Sequence, residues 1–326
     1  MRTSLPERPL RIAVVGCTPL AAKVIDLVEE LAELVGVVGL HPVLGVDKSN
    51  YDGLFAFARR RPADLLHTSD INTAETVAWL AARRPDVLIQ CGWSQIFGPD
   101  MLAVPRLMCL GVHPAPLPTG RGAAVINWRL LEGGGPWGNT LFVMQRGVDT
   151  GPILDFEPFA LEPRDDARTA HLKVDRTALK MLRRTIPRLA RGDLSTRPQT
   201  GPVSRYPRRS PEDGRMEWDW PVERILRTVR ALTHPFPGAF LETRLGRLII
   251  WQASCHRVDH VIRSPGRVAE VRSGRGIGVA VGGGTVWLEL VTPPGDVECW
   301  ADEWAGDVGL APGNDLAAAA CSAIIP

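Results

Sequence analysis

Between residues 109 and 154 the chain gathers a histidine, an aspartate and an arginine among prolines and glycines, first as GVHPAPLPTGRG and then as RGVDTGPIL. His113 is followed by Pro114, Pro116 and Pro118. Proline fixes φ and removes a backbone donor, so this histidine cannot lie inside a helix or a central strand. It is predicted at the end of a strand, entering a rigid loop. Asp149 sits in the glycine-flanked turn Gly147-Val148-Asp149-Thr150-Gly151, delivered by a strand of its own. A carboxylate beside an imidazole fixes its tautomer and favours its charged form, so the pair can take a proton from an amine or orient a water. The same spacing fits a histidine that caps a turn and an aspartate that closes an Asx-turn. Arg121-Gly122 could grip a phosphate or carboxylate, and it could equally be plain surface.

The surrounding elements read as strand and helix in alternation. Residues 11–15 (RIAVV), 35–40 (VGVVGL), 86–91 (DVLIQC) and 107–112 are short apolar runs, as in parallel strands covered on both faces. A helix from Leu20 buries Leu20, Val24, Leu27 and Leu31, with Thr18 at its N-cap and Pro19 at its first position. Further helices are predicted over 51–60, 74–84, 123–131 and 167–189, and a strand over 139–145. The first turn has one glycine and no G-x-G-x-x-G, so a dinucleotide fingerprint is absent. The run 86–91 empties into Gly92-Trp93-Ser94-Gln95, where a glycine lets a ligand approach the backbone; Trp93 fits either a pocket wall or core filling. Open sheets of this kind bind ligands beyond the carboxyl ends of their strands, which is where His113 and Asp149 are expected to meet.

A chain of 326 residues, 45% apolar, is expected to form two domains. Its 38 basic and 36 acidic side chains give a net charge of +2, with no block of one sign to serve as a nucleic-acid arm. Six cysteines form no C-x-x-C pair and read as reduced, mostly buried thiols of a cytoplasmic protein. The N-terminal apolar run is too short for a signal segment or a membrane span. Residues 192–211, rich in Pro, Arg, Ser and Thr, read as a linker. Beyond it come a helix over 222–232, a turn at 234–238 and four or five strands separated by glycine turns, as in a small antiparallel barrel. Cys255, His256 and His260 lack a fourth ligand, and no metal is expected. There is no G-x-S-x-G and no P-loop.

GVHPAPLPTGRGAAVINW, with PDVLIQCGWSQI upstream and GVDTGPIL downstream, resembles the 10-formyltetrahydrofolate-dependent formyltransferases, as do YPRRSPEDGRMEWDW and RALTHPFPGAF in the second half. The resemblance implies a Rossmann-like, mostly parallel α/β domain over 1–195, a linker over 196–220 and an OB-like β-barrel with a tail over 221–326. It implies transfer of a formyl group from 10-formyltetrahydrofolate to an amine, without metal. His113 would donate to the oxyanion or accept the amine proton, and Asp149 would orient it. The pterin would lie along backbone from Gln90, Cys91, Gly92 and Trp93 and from Gly147 and Val148 to Asp149. Arg121 and Gly122 would stand beside it, with Leu117 and Ile126 as apolar walls.

One position departs from the pattern. The family carries Asn-x-His, and this chain has Gly111. Losing one oxyanion-hole donor costs on the order of 3 kcal/mol of transition-state stabilisation. Asn127 falls on a helix and is a poor replacement. The gap keeps open a hydrolase of formyltetrahydrofolate or a folate-binding homologue without turnover. Methionyl-tRNA formyltransferases grip their acceptor with a basic loop after the second strand, and HPVLGVDKSNYDGLF here offers only Lys48. The acceptor implied is therefore a small amine, a nucleotide-linked amino sugar or a natural-product amine, with tRNA as the alternative. Neither nucleic acid nor membrane is an expected partner, and a homodimer stays open.

Overall fold

The computed structural model describes residues 8–46, 48–256 and 264–317. His260, considered above, lies outside them, as does Cys321, one of the six cysteines. The chain divides into two compact units. One contains the residues up to Val125 together with Gly135–Leu161 and His171–Arg208; the other contains Ile126–Gly134, Glu162–Ala170 and the residues from Arg209 on.

In the first unit the apolar runs become β1 (Arg11–Gly16), β2 (Glu33–Leu40), β3 (Leu65–Thr68), β4 (Val87–Cys91) and β5 (Met108–His113). They are followed by β6 (Arg121–Gly122), β7 (Gly135–Val143) and β8 (Ile153–Leu161). All but β6 form one seven-stranded sheet in the order β3-β2-β1-β4-β5-β7-β8. The pairs among β1 to β5 are parallel, while β5-β7 and β7-β8 are antiparallel. The order reverses beside β1, and such a reversal opens a crevice between the ends of β1 and β4. Helices α1 (Pro19–Leu31), α2 (Pro42–Gly45), α3 (Phe55–Arg60), α4 (Ala74–Ala82) and α5 (Pro99–Leu102) connect the parallel strands. α6 (Val125–Leu131), which from Ile126 on belongs to the second unit, and α7 (Ala167–Ala190), whose residues from His171 on belong to the first, follow.

α1 buries Leu20, Val24, Leu27 and Val28, as its period requires. Thr18 stands at its N-cap without a side-chain bond; its carbonyl accepts from Ala21, and the side chain packs beneath Gly92. β3 and β8 were not expected. They are the two edges of the sheet, where one-sided burial blurs the apolar signal.

Residues from the expected linker return to the first unit as β9 (Arg205–Tyr206), which pairs in parallel with β6. In the second unit α8 (Val222–Leu232) matches the expected helix. β10 (Ala239–Thr243), β11 (Gly246–Ser254), β12 (Val268–Arg272), β13 (Gly276–Val281), β14 (Gly284–Thr292) and β15 (Cys299–Trp300) form an antiparallel sheet in the order β10-β11-β14-β13-β12, with β15 on β14. α9 (Ala301–Asp307) precedes the tail. The tail, to which the sequence assigned no role, joins the two outer strands. Arg244 donates to Leu316, Leu316 to Gly266, and Val268 to Asn314, around a Leu316 side chain that is fully buried.

Burial pushes the Cys17 thiol up to about 11 and the Cys109 thiol up to about 12, with Cys91 higher still. A thiol raised in this way stays protonated at pH 8, and only the thiolate is nucleophilic. Native alkylation at pH 8 followed by peptide mapping should therefore modify the exposed Cys255 and spare these three. Labelling of Cys109 at a comparable rate would contradict the packing.

Candidate active site

Most backbone groups of the proline loop are paired with its neighbours. Pro114, Pro116 and Pro118 donate nothing, and the two remaining amides turn inward, Ala115 to the His113 carbonyl and Leu117 to the Ala115 carbonyl. β7 holds the loop from beside β5: Thr140 Oγ1 donates to the Ala115 carbonyl at 2.6 Å, and Trp137 Nε1 to the Pro114 carbonyl at 2.7 Å. Thr140 is the register partner of His113. The loop is thereby fixed to the strand that presents the histidine.

His113 is buried, 7% exposed. Its Nε2 lies 2.7 Å from the Gly120 carbonyl. A carbonyl only accepts, so Nε2 carries the proton and, in the neutral ring, Nδ1 carries the lone pair. Nδ1 lies 3.7 Å from Asp149 Oδ2, beyond hydrogen-bond length yet within close Coulombic reach. That carboxylate is held by the Gly122 amide at 2.8 Å. Gly122 has φ of 104°, and a Cβ there would lie 2.2 Å from the Tyr206 carbonyl, so only glycine fits. Asp149 itself has φ of 54°, a left-handed conformation that aspartate tolerates better than most residues.

The acid arrives by another route than the sequence suggested. β7 runs against β5, with Val143 opposite Leu110, so the 144–152 hairpin leaves the sheet away from the carboxyl end of β5. The hairpin folds back over the sheet face to bring Asp149 to His113. The two residues meet across a face and not above a shared strand edge.

Two sequence profiles match the chain, one described as "Formyl transferase" over residues 11–186 and one as "Formyl transferase, C-terminal domain" over residues 208–307. The chain belongs to the formyl transferase family. HypX from Aquifex aeolicus superposes with a TM-score of 0.68 at 18% identity, over 94% of this chain and 49% of that one. The methionyl-tRNA formyltransferase from Clostridium thermocellum gives 0.53 at 19% identity, over 76% of this chain and 94% of that one. A 4-N formyltransferase from Francisella tularensis gives 0.60 at 15%, over 73% and 94%. At such identities the likeness to each shows the fold. The chain spans about half the length of the HypX structures.

Other residues named from the sequence are distributed unevenly. Gln90 Nε2 donates to the Trp93 carbonyl and closes the turn after β4. Cys91 is fully buried, and the Trp93 ring packs into a core with Cys17, Leu88, Phe97 and Met101, so the core reading of Trp93 holds for its side chain. Gly92 is exposed with φ of 68°. Gly147 is exposed and Val148 partly so. Leu117 packs with Phe142, Ile153 and Met144. Ile126 is buried on α6 within the second unit. Arg121 is committed to Gln199 through Nη2 at 2.7 Å. Asn127 is committed to the Ala231 carbonyl at 2.7 Å. Among the described residues no group of three or more His, Cys, Asp or Glu is placed to hold a metal.

Gly111 marks no hole. It shares the face of β5 with His113, and its register partner is Phe142. A Cβ at Gly111 would lie 2.7 and 2.8 Å from the Phe142 ring and 3.2 Å from Met144. An aromatic ring and a thioether occupy the space that a side chain at 111 would need. Gly111→Asn alone is therefore an overpacking change, costing about 1–3 kcal/mol. Phe142→Ala alone leaves a cavity and costs about 3–5 kcal/mol. In the double variant each change relieves the other, so chemical denaturation should show a loss at least ~1 kcal/mol below the sum of the singles. Additive losses would show that the two positions do not share this space.

Proposed function

We propose that this enzyme transfers a formyl group from 10-formyltetrahydrofolate to a small-molecule amine. The observation that carries the reading is the His113 arrangement: Nε2 is engaged by Gly120, which leaves Nδ1, beside Asp149, as the ring nitrogen able to take up a proton. An amine loses a proton when it is acylated, and Nδ1 would receive it 3.7 Å from a carboxylate that stabilises the resulting imidazolium, which would return the proton to N10 as the formyl–N10 bond breaks. The donor supplies, when bound, an activated formyl group on N10. A HypX structure in complex with tetrahydrofolic acid shares the fold, with a TM-score of 0.66 at 18% identity. The residues present suit such a ligand: exposed backbone at Gly92 and at Gly147-Val148 for a polar ring edge, and Leu117, Phe142, Ile153 and Met144 as an apolar wall.

The acceptor reading rests on the segment after β2. Val43 and Val46 are 71% and 82% exposed there, and Lys48 donates to Ser94 Oγ. A tRNA acceptor needs many cations against its phosphates, and this segment has one lysine. Of the two small acceptors, the apolar segment favours a natural-product amine with an apolar body over a nucleotide-linked amino sugar.

The test is an acceptor panel with 10-formyltetrahydrofolate, read by mass spectrometry of the formylated products. His113→Ala should lower turnover by about 10²–10⁴-fold. Undiminished transfer by His113→Ala would refute the assignment. Donor consumption without any acceptor would instead indicate hydrolysis.

A further inference from the structure

Residues 197–206 form a strap that hydrogen-bonds both loops of the site. On one side Arg197 and Ile153 exchange backbone bonds of 2.7 and 2.9 Å beside the acid-bearing hairpin. On the other, Ser204 Oγ accepts from the Gly120 amide at 2.8 Å, the Arg121 amide donates to the Ser204 carbonyl, and Thr119 Oγ1 donates to the Pro202 carbonyl. Gly120 is the residue whose carbonyl holds His113.

The Gln199 side chain spans the two sides. Its Nε2 donates to the Asp149 and Gly151 carbonyls, both at 2.8 Å, and its Oε1 accepts from Arg121. Asp149 is the left-handed residue of the hairpin, a strained conformation for a non-glycine residue that persists only where surrounding contacts hold it. From these contacts we infer that Gln199 is a positioning residue: it clamps the Asp149 backbone to the loop that carries Arg121 and Gly122, and so sets the distance between Asp149 and His113. It need touch neither substrate, because it acts through the backbone of the acid.

The kinetic part of the test rests on the proposed transfer reaction. Gln199→Leu should lower kcat about ten- to a hundredfold, as small misplacements of catalytic groups do, with the donor KM changed by less than about threefold. In an Asp149→Asn background the same change should cost less than about twofold, because the group it positions is already disabled. An unchanged kcat, or an equal loss in both backgrounds, would overturn the role. Should Gln199→Leu fail to fold, Gln199→Glu serves, since it keeps an acceptor for Arg121 and loses both donors. A second readout needs no activity. In the ligand-free protein the Gly122 amide, held by the Asp149 carboxylate, should exchange about tenfold faster in Gln199→Leu, while the Ile153 amide, held by Arg197, keeps its protection. Unchanged exchange at Gly122 would overturn the inference even if the transfer reaction proves to be another.

Discussion

The hydrogen bond from His113 Nε2 to the Gly120 carbonyl is the constraint on which the rest of the site depends. A buried imidazole with one nitrogen committed to a backbone acceptor has one nitrogen left for chemistry, and its direction is set by the ring plane. That nitrogen faces Asp149. The bond is short because both ends are held: His113 by the strand β5, and Gly120 by its amide on Ser204. The prolines remove donors that would compete inside the loop, and Thr140 and Trp137 take the Ala115 and Pro114 carbonyls. Each element near the site can be read as fixing one end of this bond or the carboxylate beside it.

The two halves of the sheet divide the work. The parallel strands from β1 to β5 give a rigid base, with β1 and β4 fully backed by apolar side chains, and deliver the histidine at a strand end. The antiparallel pair β7-β8 carries the acid in a hairpin that returns across the face. Phe142 and Met144 follow from the same geometry. They pack where a longer residue at 111 would stand. Gly111 and Phe142 share one space across the β5-β7 pair. The face beside His113 is apolar at this point.

Much of this was legible in the sequence. Short apolar runs mark β1, β2, β4 and β5, because strands covered on both faces show little polar alternation. The prolines after His113 force it to a strand end, and the glycines around Asp149 force a turn. The edge strands β3 and β8 were missed, since half-covered edges mix polar with apolar residues. Gln199 and Ser204 were hidden in a stretch whose composition is that of a linker. Their contacts lie about eighty residues away in sequence for Arg121 and Gly120, and no local pattern reports them. The filling of the Gly111 site by Phe142 depends on strand register, which a single sequence does not display. The antiparallel sense of β7 was equally invisible, and with it the route by which Asp149 reaches His113.

The most direct test of the central constraint is the tautomer of His113 in the ligand-free protein, read from the ¹⁵N shifts and ring-proton couplings of histidine-labelled enzyme above the titration range of the ring. The expected result is a proton on Nε2, engaged with the Gly120 carbonyl, and an unprotonated Nδ1. A neutral ring with its proton on Nδ1 would contradict the account, because the nitrogen facing Asp149 could then accept nothing.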